Sequence, residues 1–347
     1  MCVRRCVITV GDLGEFGVVA RVSGRLPQGE TVLLGPGDDA ALVRAPDGRV
    51  VVSTDVLIEG RHFRRHWSSG YDVGRKAAAQ NLADVAAMGA VPTAIVVGLG
   101  IPPGLPVTWL DALTDGFRDE CALVGASVAG GDVTRCDLVV VGVTVLGDLQ
   151  GRAPVERSGA RPGHVIAVAG VLGRSAAGLA LLDSGRVLPS PGSGSYGGSD
   201  GSPAGSRPPV PGPGGDPLAE AVAVHLRPRP PYACGPEAAR LGASALIDVS
   251  DGLLQDLGHV ARAGGVRIDL DPGAFAVPDA VAAAAAELGA DPLDWVLTGG
   301  EDHALAAAFP PEVPLPDAWR VVGRVSEGEG VHVRGRAPGP GGWDHFR

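Results

Sequence analysis

Aspartate recurs in six clusters, beside glycine, at the ends of expected strands or inside an expected helix: Gly35-Pro-Gly-Asp-Asp39, Ser53-Thr-Asp55, Asn81-Leu-Ala-Asp84, Gly130-Gly-Asp132, Asp248-Val-Ser-Asp251 and Gly299-Gly-Glu-Asp302. Each alone is an ordinary turn or helix cap. Together they point to cation chemistry, because Asp84 sits among Leu82, Val85, Ala86 and Ala87, where an unpaired carboxylate is expensive. Magnesium takes hard oxygen ligands, carboxylates together with phosphate oxygens and water, and glycine neighbours let the backbone approach phosphate closely. The class suggested is metal-assisted phosphoryl transfer.

The elements that must position these acids alternate between strand and helix. Val50–Thr54, Thr93–Leu99 and Leu138–Leu146 read as buried strands. Val73–Gly89 has helical spacing and Gly89 as a C-cap, and Val107–Gly125 repeats the pattern with Thr108 as N-cap. On this reading Ser53-Thr-Asp55 closes a strand, Gly130-Gly-Asp132 precedes one, and Asp84 lies inside a helix. The second half offers strands at His164–Ala169, Ala245–Val249, Arg267–Leu270 and Val321–Val325, and helices at Ser175–Leu182, Leu253–Ala263 and Asp279–Leu288. The expectation is a mixed α/β chain of two domains, 1–150 and 151–347, with a boundary near Gly151. The run Pro189–Pro217 is nearly all Pro, Gly and Ser. It is expected to be a flexible insertion, at about residues 186–217, because it has too little apolar surface to offset its ordering entropy.

Composition removes other classes. The 347 residues include 54 Gly and 30 Pro, but without a three-residue period, and the 45% hydrophobic fraction supports a core. Of the 29 basic residues only Lys76 is lysine. Its setting, Arg75-Lys-Ala77, matches neither a P-loop nor a protein-kinase strand. A net charge of −10 argues against a nucleic-acid partner bound through phosphates. Five scattered cysteines without a C-x-x-C pair argue against a disulfide framework or structural zinc. No apolar run approaches the ~20 residues that span a bilayer, and the start reads as no signal peptide. A soluble cytoplasmic protein without a membrane partner is expected.

The motifs LGEFG (13–17), GPGDDAALV (35–43), STDVLIEGRHF (53–63), KAAAQNLADVAAMGAVP (76–92), GGDVTR (130–135), RSGARPGHVIAVAGVLGRSAAGLALL (157–182), IDVSDGLLQDLGHV (247–260), LTGGEDH (297–303) and GWDHF (342–346) closely resemble the thiamine-monophosphate kinase family, in that family's order. The resemblance implies an aminoimidazole ribonucleotide synthetase-like fold, with an N-terminal domain that dimerises through its sheet and a C-terminal α/β domain. It implies transfer of a phosphoryl group from ATP to thiamine monophosphate with several magnesium ions, the last step of thiamine diphosphate biosynthesis, by a homodimer. Carried over by position, Asp39, Ser53, Thr54, Asp55, Asp84, Asp132, Asp248 and Asp251 match the metal shell. Gly131, Asp132, Arg157 and Ser250 match ATP contacts, while His62, Glu301 and Trp343 match thiamine phosphate contacts. Asp132 and Asp84 are the expected centre of catalysis.

Read from the residues alone, several of these positions stay open. His62 is either a core histidine or a phosphate contact, Arg157 a surface charge or an ATP contact, and Trp343 a docked terminal aromatic or a face for the thiazolium cation. The family usually has Tyr-Glu where His303-Ala304 stands here, which bears on the shape of the thiamine pocket. Related synthetases and maturation proteins need a cysteine in a glycine-rich N-terminal segment or at the C-terminus. Cys2 and Cys6 have no such setting, and the chain ends Asp344-His-Phe-Arg347. A nucleotide-binding protein without catalysis would be expected to lose its aspartates, which are present here.

Overall fold

A computed structural model describes residues 7–36, 40–186, 215–336 and 342. Asp39, Trp343 and nearly all of the Pro/Gly/Ser run lie outside the described residues.

The first half contains α1 (Val10–Ser23), β1 (Val32–Leu34), β2 (Leu42–Val43), β3 (Val51–Ile58), α2 (Gly70–Ala86), β4 (Val91–Ile101), α3 (Val107–Ala122), β5 (Ser127–Arg135) and β6 (Val140–Asp148). Four strands form one sheet in the order β3-β6-β4-β5. Side chains alternate across a strand, so Val141, Val143 and Val145 of β6 are buried under α2 and α3 while Val52, Val56 and Val96 stand exposed on the opposite face. Helix α2 starts at a reciprocal cap: Ser69 Oγ accepts from the Asp72 N–H, and Asp72 accepts from the Ser69 N–H at 2.9 Å. It then runs through Ala77, Ala78, Leu82 and Val85, all fully buried. Its contact with α3 is close because Gly70, Gly74 and Gly116 bring backbone against backbone; a methyl at any of them would overlap a carbonyl oxygen of the facing helix.

The second half contains β7 (Val165–Ala169), α4 (Arg174–Ser184), α5 (Pro217–Leu226), α6 (Cys234–Leu241), β8 (Ala245–Val249), α7 (Leu253–Gly264), β9 (Arg267–Leu270), α8 (Asp279–Leu288), α9 (Pro292–Thr298), β10 (Ala304–Phe309), β11 (Trp319–Ser326) and β12 (Gly330–Val333). Its six-stranded sheet runs β12-β9-β11-β7-β10-β8, antiparallel except for β12 beside β9. Every residue of β7, β8 and β10 is buried, because the sheet is covered on both faces. Ile166, Val168, Ile247, Ala304 and Ala306 pack under the helices of one face. Leu246, Leu305, Ala307 and Phe309 alternate to the other face, where α6 and Ala87, just beyond α2, meet them. Among the described residues no helix is long and apolar enough to cross a membrane.

The expected elements are present with four local corrections. Thr108 does not cap α3; Pro106 precedes the helix, leaving Thr108 in its first turn. Asp55 and Asp132 lie inside strands β3 and β5 rather than after or before one. Gly89 stands beyond the last residue of α2, in a left-handed turn with φ 74°. Pro217 belongs to α5, whose first turn is capped by Asp216, so a helix begins at the expected end of the insertion.

Candidate functional site

A cavity of about 1030 Å³ opens between the two halves. Three elements bring acids to it. On β3, Ser53, Asp55 and Leu57 point to the α2 side, the face on which Leu57 is fully buried. On α2, Lys76, Gln80 and Asp84 follow at intervals of four residues and so share one stripe. On β8, Asp248 shares the face of Leu246, which looks toward the first half.

The polar contacts follow from this placement. Ser53 Oγ donates to Asp84 Oδ2 at 2.7 Å, and Gln80 Nε2 donates to Asp55 Oδ2 at 3.1 Å. Burial, the nearby charge of Asp248 and then that of Asp55 push Asp84 up to about 7, against the Ser53 hydrogen bond. Asp248, itself buried, has His303 Nδ1 at 3.3 Å. Although burial works against a charged imidazole, the bond to Asp248 and its charge raise the His303 pKa. At the turn from β8 into α7, Asp256 accepts from the N–H groups of Asp251 and Gly252 at 3.1 and 3.0 Å. Burial, followed by Asp248 and Asp251, lifts it to about 7.

The other end of the α2 stripe is basic. Lys76 donates from Nζ to Glu301 Oε2 at 2.8 Å and to the His62 carbonyl at 3.1 Å. Burial alone would raise the pKa of Glu301, but the Lys76 charge brings it down to about 2. His225, 3.6 Å from the same oxygen, is held down to about 3 by burial and by Lys76, so it faces Glu301 as a neutral ring. The N–H of Ile58 donates to His62 Nδ1 at 3.0 Å, which places the proton of a neutral His62 ring on Nε2. Glu301 and His303 are non-glycine residues at φ 62° and 52°, a conformation that costs about 1–3 kcal/mol each unless neighbours enforce it. Between them, Asp302 fixes the turn by accepting from the N–H groups of Gly173 and Ser175 at 2.6 and 2.9 Å.

Asp55, Asp84, His62, Ser250, Asp251 and Glu301 therefore line one cavity, with Ser53 and Asp248 bound to its edge. The remaining expected residues stand elsewhere. Asp132 pairs in register with Gly98, Gly98 with Gly142, and Gly142 with Val56. It is thus three strands from β3, about 14 Å, and on the exposed face with Val56 and Thr54 rather than the Asp84 face. Gly131, its neighbour, presses on the Val97 carbonyl. Arg157 is exposed in the short helical turn Arg157–Gly159, outside the cavity lining. Lys76, Gln80 and His225 are site residues that the sequence reading does not single out, the four-residue spacing from Asp84 being the available signal for the first two, and Asp302, from the last acid cluster, holds a turn instead of facing a cation.

A divalent cation fits this donor set in kind. Three carboxylates, from strand β3, helix α2 and strand β8, meet at the cavity, and two of them oppose ionisation of the third, a repulsion that a hard cation relieves. Among the described residues, however, no group of three Asp, Glu, His or Cys side chains is placed to hold a metal ion by itself. Phosphate and water oxygens would have to complete its shell.

The N-terminal domain model of AIR synthase related proteins matches residues 37–149, the stretch that carries β3, α2 and the first-half acids of this cavity. A thiamine-monophosphate kinase from Mycobacterium tuberculosis is 50% identical over 341 residues, covering 97% of this chain and 93% of that protein. The crystal structure of thiamine-monophosphate kinase from Stenotrophomonas maltophilia superposes with a TM-score of 0.76 at 31% identity, covering 94% of this chain and 98% of that one. AaThiL complexed with AMPPCP and TMP superposes with a TM-score of 0.74 at 29% identity, over 98% of this chain and 99% of that one. The chain belongs to the thiamine-monophosphate kinase family.

Proposed function

We propose that this protein transfers the terminal phosphoryl group of ATP directly to thiamine monophosphate, giving ADP and thiamine diphosphate. The observation that carries the reading is the meeting of Asp55 and Asp84 from the first half with Asp248 from the second at one cavity. Family membership and the likeness to a complex with AMPPCP and TMP support it. The acceptor is a phosphate oxygen, largely ionised at neutral pH because its second pKa is about 6, so no strong general base is needed. The obstacle is charge: at ~4 Å two like unit charges repel by about 4 kcal/mol at an effective dielectric of ~20. Bound magnesium would supply charge neutralisation and alignment of the two phosphates.

In this reading Ser53, Asp55, Asp84, Asp248 and Asp251, with Asp39, hold the cations. Ser53 and Gln80 orient the carboxylates of Asp84 and Asp55. Ser250 and Arg157 serve ATP, while His62, Glu301 and Trp343 serve the acceptor. Thr54 and Asp132 face away from their own cavity, on a sheet face that exposes Val52, Val56 and Val96, and Gly131 precedes Asp132 in β5. We infer that a second copy covers this face in a homodimer and that Asp132 serves the partner's site. The domain boundary near Gly151 and a cytoplasmic location belong to the same proposal.

Product analysis tests the reaction. With ATP and magnesium, thiamine diphosphate should form from thiamine monophosphate and not from free thiamine or aminoimidazole precursors. Turnover of another acceptor in preference to thiamine monophosphate would overturn the assignment.

A further inference from the structure

The single lysine of the chain is almost completely buried, at 2% exposure. Its ammonium group joins three parts of the cavity wall: α2, on which it sits, the turn after β3 through the His62 carbonyl, and the strained turn before β10 through Glu301. Burying a lysine is costly unless its charge is paired, and Glu301 is the paired acid. Among the described residues both polar contacts of the Glu301 carboxylate use Oε2, whereas the side chain keeps 32% exposure at the cavity. Oε1 is thereby left without a partner among the described residues. Nothing else within the turn fixes the rotation of that carboxylate, since Asp302 and His303 are tied to other elements.

We propose that Lys76 is a positioning residue for acceptor specificity, anchoring Oε2 of Glu301 so that Oε1 meets the cationic ring of the acceptor. The inference rests on the assignment of thiamine monophosphate as acceptor. Anchoring has two effects. It spares the substrate the entropy of ordering a free glutamate. It also couples the two halves at the acceptor end of the cavity, joining α2 of the first half to the turn before β10 of the second.

Steady-state kinetics of Lys76→Met, Lys76→Arg, Glu301→Gln and the double variant Lys76→Met/Glu301→Gln test this, with thermal midpoints measured beside them. Lys76→Met should raise KM for thiamine monophosphate by about tenfold or more, the loss of roughly one good charged contact, while KM for ATP stays within about twofold. In the Glu301→Gln background the same change should alter the acceptor KM by less than about twofold, because the anchored group is already gone. Lys76→Arg, which keeps the charge, should recover part of the loss. Equal rises in both KM values, or additive effects in the double variant, would overturn the proposal in favour of a general structural role. If Lys76→Met does not fold, Lys76→Gln, which keeps a donor for His62, carries the same comparison. Absence of thiamine monophosphate turnover in the parent would sink the assigned reaction; an active parent with an unmoved acceptor KM in the variants would sink only the anchor.

Discussion

Two inactive variants should restore each other. Asp84 lies on α2, on the cavity side of the first sheet, whereas Asp132 lies on the other face and three strand spacings from β3, about 14 Å in the plane of the sheet. Two carboxylates that share a magnesium ion at ~2.1 Å each cannot be that far apart, so Asp132 cannot serve the Asp84 cation within its own chain. In a two-fold dimer, a subunit carrying Asp84→Asn still lends an intact Asp132 to its partner, and a subunit carrying Asp132→Asn still has an intact Asp84. A dimer containing one of each then holds one complete site and one doubly defective site. The assay is co-expression with two different affinity tags, isolation of dimers carrying both, and measurement of thiamine diphosphate formed. Each variant alone should lose about 10²–10³ in turnover, the usual cost of removing one preorganised electrostatic group. The mixed dimer should regain about half of the parent activity per dimer, since one of its two sites is complete. Mixed dimers no more active than either variant would refute the shared site, as would Asp132→Asn dimers that turn over like the parent.

The packing of α2 gives a stability test. Gly74→Ala should lower the thermal midpoint, because overlap with the Leu113 carbonyl costs about 1–3 kcal/mol and outweighs the ~1 kcal/mol gain in helix propensity. Asp302→Ala should destabilise by about 1–3 kcal/mol for each of the two backbone donors it strands, read by denaturant unfolding. Burial raises Asp302 to about 6, against its hydrogen bonds to Ser175 and Gly173. The folded chain therefore binds this proton more tightly than the unfolded one, and the stability it contributes at low pH is lost as pH rises from ~4 to ~6. In Asp302→Asn, unfolding free energy measured over that window should slope downward less, by up to about 1.4 kcal/mol per pH unit. Deleting residues 190–215 should leave turnover close to that of the parent, because that low-complexity run is remote in sequence from every acid cluster and loop length costs little.

Much of the fold was legible where local pattern and burial agree. The run Leu138–Leu146 is β6 to within two residues at each end, and Arg267–Leu270 and Asp279–Leu288 match their elements end for end. Strand β10 was missed because its sequence ALAAAF is rich in the best helix former. Its position between two strands of a doubly covered sheet overrides that preference. Helix α1 was hidden by its three glycines, one of which, Gly14, breaks the helical backbone at φ 65°. At the site, the acids were visible because carboxylates beside apolar neighbours are conspicuous. The face each acid occupies was not, because it depends on strand register: Asp55 and Asp132 read alike in sequence but lie on opposite faces. The Lys76 to Glu301 pair joins residues 225 positions apart, and no local pattern announces such a contact.

Lys76, Gln80 and Asp84 lie along α2 at a rise of about 1.5 Å per residue, so the acceptor anchor and the buried acid are spaced by about 12 Å. The helix is a ruler for the cavity. Its straightness is secured by packing on both sides, from the sheet and from the glycine contacts with α3. One residue inserted between Lys76 and Asp84 would lengthen the ruler by only about 1.5 Å but swing one end by about 100° around the axis. Substitutions along this stretch alter single contacts, whereas a change of length separates the two ends of the site. Insertions that leave the site intact must therefore fall outside α2, where the long Pro/Gly/Ser run lies in the sequence after α4.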